Sequence, residues 1–368
     1  MKLIGIDRDT LLNPVARAAS ACGRGPLPIL SNLLIKVADG RITVTGSDLQ
    51  VEVTDSICHG DIQVEDGAVC IPAKKLHDIL KNMQSGTAVS LDARDGKAIL
   101  KAGRSRFSLS TLPAADFPNV EANGDSCDIR IQAGVLRTSI ERVKHAMARK
   151  DVRYYLNGVL LHVKNSKCQF VATDGHRLAY TETTNFESSK TECSSIIPAE
   201  SISIISGLLA GKEDWMEIQV SSNHAIFQIG DSKIVTNLID GKYPDFERVL
   251  PKGRNQILEA SITDLKLSVS RAAILANEKY RGITLTLSNN NLGIKAANVE
   301  AEESEDSVDV NYCGDEMTIG VNGDYLKEAL SVMGADKIQL AFSDANSSIL
   351  VTHPEDGATK LVCMPMRI

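Results

Sequence analysis

The residues best suited to chemistry in this 368-residue chain are Asp174, His176 and Arg177, in the run Ala172-Thr173-Asp174-Gly175-His176-Arg177-Leu178. A carboxylate two residues from an imidazole can move protons, but acyl transfer also needs an activated nucleophile. No G-x-S-x-G elbow supplies one, and no G-x-x-x-x-G-K-[ST] loop cradles a nucleotide. Asp174-Gly175 reads better as a tight turn between two alternating apolar stretches, so catalysis by Asp174 and His176 has the least support. Cys22, Cys58, Cys70, Cys127, Cys168, Cys193, Cys313 and Cys363 form no CxxC pair and have no His at ligand spacing. No metal, cofactor or disulfide framework is expected.

Lys and Arg recur on or just beyond stretches of helical periodicity, at Arg17, Arg24, Lys74 and Lys75, at Arg137, Arg142, Lys144, Arg149 and Lys150, and at Lys266, Arg271 and Lys327. Yet 47 Asp and Glu exceed 40 Lys and Arg, giving a formal charge of −7. That argues against a protein that coats DNA and leaves open a local concentration of positive charge. With 43% hydrophobic and 24% charged residues the chain is globular, and no apolar run reaches the ~18 residues of a membrane span. Asp7 interrupts the N-terminus before an apolar signal core can form, so a cytoplasmic protein is expected.

The elements that must position these residues come in three copies. Leu33 to Val37, Val159 to Val163 and Ile283 to Leu287 each precede a turn and a second alternating strand. Val37, Val163 and Leu287 stand 126 and 124 residues apart, as do Asp48, Asp174 and Asn298, and Pro72, Pro198 and Asn322. The last three each open a helical stretch, and an amphipathic helix begins each copy at Thr10 to Ala21, Val135 to Ala148 and Thr263 to Ala276. The pattern predicts three α+β domains with boundaries near 1–124, 125–251 and 252–368.

Asp151-Val152-Arg153-Tyr154-Tyr155-Leu156-Asn157-Gly158, followed by Ala172 to Ala179, resembles the bacterial sliding-clamp family, the β subunits of DNA polymerase III. Arg104 to Pro113, Tyr243 to Pro251, Arg271 to Leu275 and Met364 to Ile368 extend the resemblance over the whole chain. It implies a DNA-encircling processivity factor without catalysis: a head-to-tail homodimeric ring, helices inside and sheets outside. Twelve helices at ~9 Å spacing make a circle about 34 Å across, leaving roughly 24 Å inside for a duplex about 20 Å wide. Such a ring needs only weak, sequence-independent attraction to double-stranded DNA.

The resemblance also implies residue roles. Arg24, Lys74, Arg137, Lys144, Arg149, Lys150 and Lys266 would face DNA, with Tyr154 and Tyr155 stacking on exposed bases. Ala199-Glu200-Ser201 is acidic where basic residues are expected. A partner-peptide pocket would comprise Leu178, Pro244, Val249, Val362, Met364, Pro365, Met366 and Arg367, rimmed by Leu156, Thr173, Gly175, His176, Arg177 and Arg248. Its partners would be DNA polymerases, ligase and mismatch-repair proteins, with a clamp loader placing the ring. At the dimer interface Phe107 and Leu109 would meet Ile274 and Leu275, while Lys75, Arg104 and Arg106 face Glu300, Glu302, Glu303 and Glu305. A peptide-docking scaffold that does not encircle DNA is the alternative from another class.

Overall fold

The computed structural model describes residues 1–23, 27–58, 63–118, 126–251 and 256–367. Arg24 and the expected boundary residues Gly124, Asp125 and Lys252 lie outside these. The chain divides into two compact units. One comprises Met1–Gly134, Phe186–Lys190 and Ser203–Leu238, and the other Val135–Asn185, Thr191–Ile202 and Ile239–Ile368. The middle repeat thus contributes strands to both. The first unit holds a ten-stranded and a five-stranded sheet, the second an eight-stranded and a five-stranded sheet.

Six α-helices stand two to a repeat among the described residues: Arg8–Ala19 and Ala73–Lys81, Ala133–Val143 and Ala199–Leu208, Ile262–Ala272 and Gly323–Val332. The first helix of each pair starts earlier than its apolar periodicity predicts. Asp7 accepts hydrogen bonds from the Asp9 and Thr10 amides and Ser261 from that of Asp264, so capping side chains set these starts. The expected ends are also corrected: Lys144–Ala146 and Ala273–Leu275 are 3₁₀ turns. The helices after Pro72, Pro198 and Asn322 begin as read. The hairpin turns hold Asp39, Asn165 and Asn290 at φ 51°, 52° and 55°, the left-handed conformation that tight hairpins require.

One joint occurs twice. A strand that follows the hairpin of one repeat, here called the joining strand, pairs antiparallel with the closing strand of the next. Val51–Cys58 meets Ser232–Asn237 with Val51 opposite Thr236 and Asp55 opposite Ser232. Arg177–Thr183 meets Thr359–Cys363 with Arg177 opposite Cys363 and Thr181 opposite Thr359. The third joining strand, Glu303–Asp309, and the first closing strand, Ser105–Ser110, stand at the edges of their sheets. After each closing strand the chain crosses to a second sheet, at Leu112 opposite Cys70, Ile239 opposite Ile196 and Met366 opposite Gly320.

Burial follows the strand alternation. In the first unit Leu3, Leu11, Val15, Leu33, Ile35 and Leu91 are sealed between helices and sheet. There the first helix lies so close on its sheet that a Cβ at Gly46 would sit 2.0 Å from the Ala18 carbonyl oxygen. In the second unit Leu156, Leu160, Leu178, Tyr180, Phe246 and Val362 form one cluster.

Candidate functional site

The predicted pocket residues gather at the second joint. Asp174 organises the turn: its Oδ1 accepts from the His176 and Arg177 amides at 2.9 and 3.0 Å, and Gly175 takes φ +89°. Asp48 caps the equivalent turn of the first repeat in the same way, through the Gln50 and Val51 amides, while in the longer turn of the third repeat Asn298 accepts from the Glu300 and Glu302 amides. Arg153 donates from Nη2 to the Asp174 carbonyl at 3.0 Å and to Asp151, whose carboxyl it holds down at about 2. Asp174 is spent on two amides and on Arg177, and burial raises the Cys363 thiol to about 12, so Asp174 is not a free base and Cys363 is not a thiolate.

Leu156, Leu178 and Val362 do not form an open apolar surface. They are buried together under Tyr243 and Phe246, with Val249 and Leu250 packed at the margin. The accessible apolar groups around them are Pro244, Val249, Met364, Pro365 and Met366, while Gly175, His176, Arg248 and Arg367 are exposed. Thr173 is half-buried and donates to the Arg177 carbonyl at 2.6 Å. Pro365–Met366 adds an edge strand beside Met317–Asn322, and the Met364 amide donates to the His176 carbonyl at 3.0 Å. The C-terminal segment is therefore both a packed strand and a border of the groove.

Arg177 departs from its expected place on the rim. Its side chain is 12% exposed, donates from Nε to Asp174 at 3.0 Å, pairs with Glu328, and lies with its guanidinium carbon 4.3 Å from the Tyr325 ring centroid. Sequence reading missed Tyr325 and Glu328, because only the continuous sheet brings the Gly323–Val332 helix to this turn.

Among the DNA-facing candidates, Lys74, Arg149 and Lys150 are exposed, and Arg137, Lys144 and Lys266 half-buried. Arg149 and Lys150 lie beyond the helix first assigned to them, in the loop that carries Tyr154 and Tyr155, whose rings meet edge-on at 5.8 Å. Lys144 is held by Glu141 at 2.6 Å and Lys327 by Asp324 at 2.9 Å. Arg17, Arg142 and Arg271 occupy the last turn of each first helix and serve as ties to the sheet. Arg17 pairs with buried Asp55 and Arg271 with Asp306 at 2.5 Å, while Arg142 reaches Thr359 at 3.0 Å and Asp356 at 3.6 Å. Glu200, unexpected by charge, stands in the first turn of its helix, where a carboxylate favours the dipole.

The interface candidates fall on the two free edges. Arg106, Phe107 and Leu109 lie on Ser105–Ser110, with Arg104 at its turn, and Lys75 is exposed on the neighbouring helix. Glu303 and Glu305 lie on Glu303–Asp309, with Glu300 and Glu302 in the preceding turn. Ile274 is 74% exposed and Leu275 half-buried. Leu109 is instead buried in the core of its own unit, which leaves Phe107 as the accessible member of that pair.

The N-terminal, central and C-terminal domain profiles of the DNA polymerase III β subunit match residues 1–121, 130–245 and 247–367. The chain is 41% identical over 364 residues to the β sliding clamp of Pseudomonas aeruginosa, with 99% of each covered. It is 37% identical over 364 residues to that of Escherichia coli K12, again with 99% of each covered. A solved P. aeruginosa sliding clamp bound to griselimycin matches at TM-score 0.95 and 40% identity over 100% of both chains. The chain belongs to the DNA polymerase III β-subunit family of sliding clamps, which are processivity subunits and not catalysts.

Proposed function

We propose that two copies of this chain close head to tail into a ring that encircles double-stranded DNA and tethers replication and repair proteins to it. The observation that carries this reading is the repeated joint. Two joining strands find closing strands within the chain, while Glu303–Asp309 and Ser105–Ser110 are left as edges that only another copy can pair in the same order. Transferring the register through the hairpin pairings sets Glu305 opposite Arg106 and Ser304 opposite Phe107. Opposed charge supports the match, with Lys75, Arg104 and Arg106 on one edge and Glu300, Glu302, Glu303 and Glu305 on the other. A hollow of about 610 Å³ lined by Ile79, Met83, Ala102 and Phe107 gives exposed Ile274 of a second copy a place to enter.

In this reading the clamp domains span 1–124, 125–251 and 252–368, a division supported by the three matched ranges. Arg24, Lys74, Arg137, Lys144, Arg149, Lys150, Tyr154, Tyr155 and Lys266 attract DNA weakly, so that topology and not adhesion retains the ring. The groove bordered by Pro244, Val249, Met364, Pro365 and Met366 takes short apolar peptide segments of polymerases, ligase and mismatch-repair proteins. It also takes griselimycin, the ligand of the solved relative. A clamp loader places the ring, in the cytoplasm.

The test is topological. Protein loaded on nicked circular DNA is expected to stay bound and to be lost once the circle is linearised. Equal retention on circle and line would replace encirclement with ordinary binding.

A further inference from the structure

We infer that Arg177 serves the peptide groove from behind, as a positioning residue: its guanidinium latches the Asp174 turn of the middle repeat to the Gly323–Val332 helix of the third, and so fixes the distance between the groove's floor and its border. The inference rests on the pocket reading above. Three contacts occupy this one side chain. Nε is committed to Asp174 at 3.0 Å, Nη1 to Glu328, and the guanidinium lies 4.3 Å from the centroid of Tyr325. An incoming peptide carboxylate would have to displace a carboxylate already in place, so Arg177 is poorly suited to direct recognition.

Its backbone explains why the latch controls the groove. The Arg177 amide donates to Asp174 at 3.0 Å and its carbonyl accepts from Thr173 at 2.6 Å, so the turn and the side chain move as one piece. The next residue, Leu178, pairs with Val362 in the buried floor. The preceding residue, His176, accepts the Met364 amide where the C-terminal border departs. A loosened latch therefore frees the turn that ties floor to border, and their spacing is no longer fixed. Lysine keeps the charge at this position but loses the planar fork and the stacking. Glu328 lies at the far end of the latch, on another repeat and about half-exposed, which makes it a probe of positioning that leaves the groove's own side chains intact.

The experiment measures griselimycin affinity by calorimetry on the full-length protein and on Arg177→Lys, Glu328→Gln, their double variant and Met364→Asp. Melting temperature and sedimentation are recorded for each. Glu328→Gln is expected to weaken binding about 5-fold and Arg177→Lys about 10-fold, with the double variant no worse than Arg177→Lys, since residues acting through one contact are not additive. Dimerisation stays unchanged in all. Loss through Arg177→Lys with a silent Glu328→Gln, or losses that multiply, would show direct ligand contact and overturn the inference. Should Arg177→Lys fold poorly, Glu328→Gln against wild type decides alone. Met364→Asp separates the two levels: binding lost there with Glu328→Gln silent sinks only the latch, whereas wild-type binding by Met364→Asp sinks the pocket reading and the latch with it.

Discussion

The two joints within the chain share one backbone design and differ in what their side chains do. At the first, Val51 opens the joining strand opposite Thr236, the turn behind it uses Leu49 at φ 76°, and Asn237 bonds back to Gln50 and Leu49. At the second, the equivalent positions hold Arg177, Gly175 and Met364, and the turn projects His176 into solvent. The helix ties differ too. Arg17 and Arg271 each pair with an Asp on the joining strand of their own repeat, whereas the middle repeat has Thr181 there, and Arg142 reaches across the joint to Thr359 and Asp356. Polar side chains cross both joints: Arg41 meets Asp231 at 3.2 Å and Asn237 bonds Gln50 at 3.2 Å at the first, whereas at the second the tie comes from the helix through Arg142, and there the chain also exposes its apolar groove.

The comparison breaks most visibly at the joint that needs a partner. Ile274→Ala with Leu275→Ala removes apolar contacts at a packed site, each worth ~2 to 5 kcal/mol, while leaving both internal joints untouched. Sedimentation is expected to show mainly monomer with a folded circular-dichroism spectrum. An unchanged dimer would mean that the free edges do not close the ring.

The helix ties come next. The Asp55 carboxylate is buried and paired with Arg17, so Asp55→Ala leaves the guanidinium without its partner and is expected to cost about 2 to 4 kcal/mol. Asp306→Ala, the same change in the third repeat, falls on a more exposed pair and is expected to cost under ~1 kcal/mol. Denaturant titration of the two variants gives the ranking, and equal costs would mean that burial does not set the strength of these ties.

Acid distinguishes the joints further. His145, on the turn packed against Arg177–Thr183, has an Nδ1 with no hydrogen-bond partner among the described residues. Burial, and secondarily the Arg177 cation, pull its pKa from 6.5 down to about 4; Asp174 and the buried Cys363 thiol lie on the elements beside it. A lowered histidine binds its proton more readily in the unfolded chain. The stability it contributes is thus complete above pH 6.5 and is lost as pH falls toward 4, by on the order of 2 to 3 kcal/mol. Hydrogen exchange should accelerate in Thr359–Cys363 over that window more than in Ser232–Asn237. Parallel behaviour of both strands would remove His145 from the account.

Much of this architecture is legible in the sequence because it is local. Hairpin turns at Asp39, Asn165 and Asn290, the helices after Pro72, Pro198 and Asn322, and the threefold spacing all depend on residues near one another in the chain. What escapes depends on long-range packing. Arg17, Arg142 and Arg271 look like solvent-facing cations until the strand each helix lies on is known, and Leu109 looks available until its own core claims it. Arg177 looks like a rim residue because its partners Tyr325 and Glu328 lie about 150 residues away.

The smallest effect isolates why the middle repeat differs. Thr181→Asp restores the carboxylate found at Asp55 and Asp306, and offers Arg142 a partner on its own joining strand. The gain is limited, because Thr181 is buried and its hydroxyl already bonds Thr359 at 2.9 Å, a contact that a carboxylate keeps only if Thr359 turns to donate. Arg142 would in exchange leave Asp356, a pair at 3.6 Å of the loosely held kind that contributes little. The net change in stability is expected to stay within ~1 kcal/mol, while the cross-joint tie is lost. Hydrogen exchange in Thr359–Cys363 should then rise toward the rate of Ser232–Asn237 with the melting temperature nearly unchanged. Protection that stays at the wild-type level would mean that the second joint draws its firmness from Arg177 and the strand ladder, and that Arg142 crosses it without holding it.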